Sequence, residues 1–121
     1  IQYTYARIRS ILRKAADDGM NVRDRLFSDD IIISEKEIAI IQLLAEFKDV
    51  IAQAATDYNP SVIANYCYEL AKEFNQFYHD FSVLREPEQG LKLFRLMLTE
   101  NVGKILKLGT GLLGIEVPER M

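Results

Sequence analysis

The sequence predicts an all-α fold, a single-domain bundle of about five helices joined by short connections. Three observations carry that prediction. Apolar residues recur at helical spacing, most plainly at Ile63, Cys67, Leu70, Phe74, Phe77, Phe81 and Leu84, where steps of four and three alternate. Ser34-Glu35-Lys36-Glu37 is a capping box, which marks a helix start. No pair of strands, internal repeat or low-complexity segment stands out.

The first expected helix covers about residues 1–17, with Ile1, Tyr5, Ile8, Ile11, Leu12, Ala15 and Ala16 on one arc facing the core. Tyr3, Arg7, Ser10 and Lys14 fall together on its flank, and Arg9 and Arg13 lie further round. Asp17-Asp18-Gly19 ends it. Residues 20–33 read as irregular, with Ile31-Ile32-Ile33 as a patch for the core. The capping box opens a second helix, about 35–46, with Ile38, Ile41, Leu44 and Ala45 as its apolar stripe. A third, about 48–57, turns Val50, Ile51 and Ala54 inward. Asn59-Pro60 breaks the chain, because a residue before proline is pushed out of helix. The fourth helix, about 61–84, carries the phenylalanine seam, and residues 85–90 form the next turn. The fifth, about 91–110, should bury Leu93, Leu96, Met97, Val102, Ile105, Leu106 and Leu108. Gly109, Gly111 and Gly114 loosen the backbone at its exit, and Pro118 follows.

The 121 residues suffice for one domain with a sizeable core. One cysteine excludes an internal disulfide. No apolar run approaches a membrane span and no signal peptide precedes the first helix, so a soluble, cytoplasmic domain without membrane contact is expected; it is also expected to be a monomer. A start at Ile1, inside a helix, reads as a piece of a longer protein. The net charge of −3 is unevenly spread. Residues 1–16 carry +4, residues 17–89 carry −9 and residues 90–121 carry +2. If the two ends pack together, they form a basic face that steers an anionic ligand. The bland alternative is chance variation between helices.

Sites for chemistry are scarce. His79 and Cys67, twelve positions apart on one helix, cannot join a compact metal site or act as a nucleophile–base pair. The glycines follow a helix instead of opening one, so no phosphate loop is present. Binding surfaces fare better. Tyr3, Arg7 and Lys14 offer an aromatic plane beside two cations, which suits a nucleic-acid backbone with a splayed base. Tyr78, just off the seam, shares a stripe with Arg85 seven residues later. By spacing alone these tyrosines read first as half-buried rings with wet hydroxyls, and the cations as a solvated helix face.

Three segments resemble the C-terminal domain of arginyl-tRNA synthetases, an anticodon-binding domain of the DALR type. They are Ile1 through Ala15 (Ile-Gln-Tyr-Thr-Tyr-Ala-Arg-Ile-Arg-Ser-Ile-Leu-Arg-Lys-Ala), Tyr66 through His79 with Glu69-Leu70-Ala71-Lys72 and Phe74-Asn75-Gln76-Phe77-Tyr78-His79, and Leu112 through Met121. They keep their order across residues 1–121. The resemblance implies a helical domain that grips the anticodon stem-loop of arginine tRNA. It implies Tyr3, Arg7, Tyr78 and Met121 as loop contacts, beside which the charge pattern sets Lys14 and Arg85. The tyrosines would be stacking platforms, Arg7 a phosphate or base-edge donor, and Met121 an apolar rest for a turned-out base. Two positions depart from the family pattern: Lys48 stands where proline is frequent, and Ser82 where some relatives place a large aromatic. The nucleotide-binding signatures of the His-Ile-Gly-His and Lys-Met-Ser-Lys-Ser types are both absent. The resemblance therefore implies a parent arginine–tRNA ligase whose catalytic domain, in cis, uses ATP, while this part holds no cofactor and no catalytic residue. Two rivals remain: a helical protein–protein docking module, which needs a large exposed apolar patch, and a small-ligand enzyme, which needs a pocket of convergent polar groups.

Overall fold

A computed structural model describes residues 1–19, 33–87, 89–115 and 117–120. Among them are four helices and no strand: α1 (Gln2–Asp17), α2 (Glu35–Asp57), α3 (Ser61–Asp80) and α4 (Gln89–Leu112). Most of the expected irregular stretch 20–33 lies outside the described residues.

In α1 the inward arc is Tyr5, Ile8, Ile11 and Ala15, with Thr4 and Ala6 also buried, while Ile1 and Ala16 are exposed. Gly19 takes a left-handed φ of +81° and its N–H donates to the Ala16 carbonyl at 3.0 Å, closing the helix.

The expected second and third helices are one helix, α2, capped as expected by the reciprocal Ser34–Glu37 bonds. Its buried face differs from the expected one. Ile38 and Ile41 are 41% and 38% exposed, whereas Glu37, Ile40 and Ala54 are buried and Leu44, Phe47 and Val50 pack against the core. Residues 37, 40, 44, 47, 51 and 54 form one unbroken arc at about 3.6 residues per turn. The expected Ile38–Ile41 stripe lies on a different face from residues 50–54, whereas the observed arc runs through Glu37, which Arg95 meets in the core. At its C-terminus, Tyr58 adopts φ +50°, and the Asn59 N–H reaches the Ala54 carbonyl at 3.0 Å. A non-glycine residue there costs about 1–2 kcal/mol.

Helix α3 buries Ile63, Tyr66, Cys67, Leu70, Ala71, Phe74 and Phe77, the expected seam. It ends at Asp80, four residues earlier than expected, because Phe81 turns extended at φ −131°, ψ 130°. Phe81 and Leu84 still pack on the core from the connection that follows.

Helix α4 buries Leu93, Leu96, Leu98, Val102 and Leu106, but Leu108 is 59% exposed. Gly109 lies inside the helix and lets it press on α3: a Cβ there would meet the Cys67 sulfur at 2.5 Å. Gly103 does the same against Ile8 of α1, at 2.9 Å. The helix closes at Gly114 (φ +77°), with the Ile115 N–H on the Thr110 carbonyl at 2.9 Å and the Gly114 N–H on Gly111 at 3.0 Å. No described helix is long and apolar enough to cross a membrane.

Candidate nucleic-acid interface

The flank of α1 meets the C-terminal half of α3. Helical spacing carries Tyr3 and Arg7 on one face of α1, one turn apart. Three residues before the end of α3, Phe77 turns into the core, so its neighbour Tyr78 is left at the rim, half-exposed and tilted on Phe74 at 6.4 Å. The Arg7 guanidinium carbon lies over both tyrosines, 5.1 Å from the Tyr3 ring centre and 5.0 Å from that of Tyr78. Cation–π attraction on two faces holds the cation in place. Arg7 Nη1 also donates to Asn75 Oδ1 at 3.2 Å, and Asn75 Nδ2 donates to the hydroxyl of buried Thr4 at 2.9 Å.

A concave site of about 420 Å³ opens beside this cluster, lined by Tyr3, Arg7, Arg13, Lys14, Tyr78 and Arg120 among others. Arg120 reaches it because the segment 117–120 runs back along α1. Glu119 pairs with Arg9 at 3.4 Å and Arg13 at 3.9 Å, and its carbonyl accepts from Arg13 at 3.2 Å. The two basic ends of the chain thus come together, with one carboxylate between them.

Tyr3, Arg7, Lys14 and Tyr78 are therefore brought to one surface. Arg85 is not among the residues lining it: α3 ends at Asp80, so the helical stripe from Tyr78 does not extend to position 85. Arg85 sits exposed in the following connection, its N–H donating to Ser82 Oγ at 3.3 Å. Met121 lies outside the described residues. Cys67 is fully buried, and burial pushes its thiol up; His79 is exposed. No group of three His, Cys, Asp or Glu that could hold a metal ion occurs among the described residues.

With this geometry in view, a family model described as the DALR anticodon binding domain matches residues 1–121. The chain belongs to the DALR anticodon-binding domain family. This DALR domain is 61% identical over 121 residues to the arginine–tRNA ligase of Phocaeicola vulgatus and 58% identical to that of Bacteroides thetaiotaomicron. Each match covers all of this chain and 20% of the relative, so the chain spans about a fifth of the length of the curated relatives it matches. Among solved structures, the arginyl-tRNA synthetase of Thermus thermophilus superposes with a TM-score of 0.80 at 31% identity, covering 99% of this chain and 20% of that one. A putative arginyl-tRNA synthetase from Campylobacter jejuni gives 0.82 at 25% identity, covering 99% and 25%. The DALR domain fold of these synthetases is helical, as here.

Sequence reasoning about the DALR domain missed Asn75 and Thr4, the two polar residues behind Arg7. The available signal was their position: each sits beside or one turn before a flank tyrosine, at the border of the apolar arc. It also missed Glu119, whose partners are 106 residues away from it along the chain for Arg13.

Proposed function

We propose that this domain binds the anticodon stem-loop of an arginine tRNA, in the cytoplasm and as a monomer, through the concave face between α1 and α3. Within a parent arginine–tRNA ligase it positions the tRNA for a catalytic domain in cis, which uses ATP; the domain itself carries no catalytic residue. The observation that carries this reading is the Tyr3–Arg7–Tyr78 cluster at the rim of a basic concavity, in a chain matched along its whole length by an anticodon-binding family. Aromatic rings stack on unpaired bases, and exposed cations hold the phosphates that run past them. Base contacts specify and phosphate contacts position. Lys14 and Arg120 suit the positioning role, and Met121 remains a loop contact that the family resemblance implies.

The docking-module reading needs an apolar face in place of a basic one. An apolar groove does exist, lined by Ile51, Ala54, Tyr58, Pro60, Ile63 and Leu112, but it lies toward the opposite end of α3 from Tyr78. From Ile63 to Tyr78 is about 22 Å along the helix. It accompanies the basic face without replacing it.

Titration of the domain with an arginine-tRNA anticodon stem-loop, and with the same hairpin carrying a changed anticodon, tests the proposal. Tighter binding of the first is expected. Equal affinity for both defeats anticodon reading, and no binding of either at moderate salt defeats the RNA role.

A further inference from the structure

Arg7 is held by more than the two tyrosines. An arginine side chain has several rotatable bonds, and a guanidinium stacked between two rings can still rotate in the plane of the stack. The bond to Asn75 removes that freedom. A guanidinium only donates, so the Asn75 carbonyl oxygen must face it, which turns the carboxamide nitrogen toward Thr4. Thr4 is 3% exposed and accepts that N–H at 2.9 Å, so the amide is clamped from the core side. The chain of bonds runs from buried Thr4 through Asn75 to Arg7, and it engages one edge of the guanidinium. Nη1 is engaged by Asn75, and Arg7 lines the concavity together with Tyr3 and Tyr78.

We propose that Asn75 is a positioning residue of this site, which aims the outer edge of Arg7 at a nucleobase lodged against Tyr3 and Tyr78, so that Arg7 reads a base edge and does not serve as a phosphate clamp. The assignment rests on the RNA-binding reading above for its ligand, but the aiming of Arg7 is a property of the free protein. A phosphate clamp needs only a mobile positive charge. A planar fork fixed between two ring faces and hydrogen-bonded at one edge suits recognition of adjacent acceptors in a plane.

Two measurements on Asn75→Ala, Asn75→Asp and Arg7→Lys test this. The first needs no RNA: the Arg7 Nε–Hε signal in NMR of the free domain should be displaced upfield by the two rings. Asn75→Ala should move it toward the position of free arginine. Asn75→Asp, whose carboxylate accepts from Arg7 and also from a rotated Thr4 hydroxyl, should keep it displaced. An unmoved signal in Asn75→Ala overturns the positioning role whatever the RNA does.

The second measurement is binding to the native and changed-anticodon stem-loops across salt concentrations. Asn75→Ala and Arg7→Lys both keep the positive charge, so their salt slopes should match the wild type. Their preference for the native loop should nevertheless fall by about tenfold, the loss of one aimed hydrogen-bonding pair. Asn75→Asp should lower affinity for both loops, because it neutralises Arg7, while keeping the preference. Wild-type discrimination in Asn75→Ala or Arg7→Lys, with circular dichroism unchanged, overturns base-edge aiming. If the NMR signal moves as expected but the wild type binds both loops equally, the anticodon reading fails and the positioning of Arg7 stands.

Discussion

Glu37 and Arg95 form a buried ion pair, Arg95 Nε to Glu37 Oε1 at 2.6 Å, that ties the first turn of α2 to α4. The other Glu37 oxygen accepts the Ser34 N–H at 2.6 Å, so one carboxylate both closes the capping box and neutralises a buried cation. Arg95 also donates to Glu86 at 3.0 Å and lies 4.8 Å over the Phe81 ring. The start of α2, the connection after α3 and the middle of α4 are thereby locked together beneath Phe77 and Phe81.

Removing one partner of such a pair strands the other. Glu37→Ala should therefore destabilise the domain by about 3–5 kcal/mol, measured by urea unfolding. Glu37→Gln keeps the side-chain volume and one acceptor oxygen, but its NH2 then faces either Arg95 or the Ser34 N–H, so it should cost less than Glu37→Ala without approaching the wild type. A loss under 1 kcal/mol for Glu37→Ala would show that Glu86 alone compensates Arg95.

Tyr78 shares its ring with Phe74 on one side and Arg7 on the other, yet is not part of the central core. Tyr78→Ala should weaken stem-loop binding by about 1–3 kcal/mol, as expected for loss of one stacking platform. Calorimetric titration reads the binding, and circular dichroism should show the helices intact. Affinity equal to the wild type would remove Tyr78 from the site.

Lys14 is exposed at the edge of the same concavity, where a compact ammonium suits phosphate. Lys14→Ala should weaken native and changed-anticodon loops alike and reduce the slope of log K against log salt by about 0.7–0.9. A preserved slope would exclude a phosphate contact at this position.

Tyr66 is buried with its hydroxyl donating to the Leu43 carbonyl, and burial, helped by Cys67 and Glu46, pushes its phenol up to about 12 from 10. The unfolded state ionises first, so this tyrosine's contribution is fully present below pH 10 and is lost as pH rises towards 12. Wild-type stability should fall through that window more steeply than that of Tyr66→Phe, the other tyrosines cancelling in the difference. Parallel curves would mean the phenol ionises freely in the folded domain.

Gly109→Ala gains helix propensity of about 1 kcal/mol yet places a methyl 2.5 Å from the Cys67 sulfur, which sits on a short side chain with little room to yield. A net destabilisation of about 1–3 kcal/mol is expected. The double variant Cys67→Ala, Gly109→Ala should recover part of it. Additive losses in thermal unfolding would mean that the two helices do not depend on this close approach.

Much of this molecule was legible in its sequence, because helical periodicity, caps and seams are local. The Phe74–Phe77 seam, the Ser34–Glu37 box and the flank of Tyr3, Arg7 and Lys14 all follow from spacing at about 3.6 residues per turn. The resemblance carried in three segments then identified the family. Spacing says which residues share a face, but not which faces meet. Only the tertiary structure decided that α1 lies against the end of α3, which sets Arg7 between Tyr3 and Tyr78 and links it to Asn75, 68 positions away. Only it decided that α2 is one helix, because a glutamate reads as surface until a partner such as Arg95 is found to meet it in the core. A buried charge is stable through its partner, and the partner, 58 positions away, is chosen by the fold.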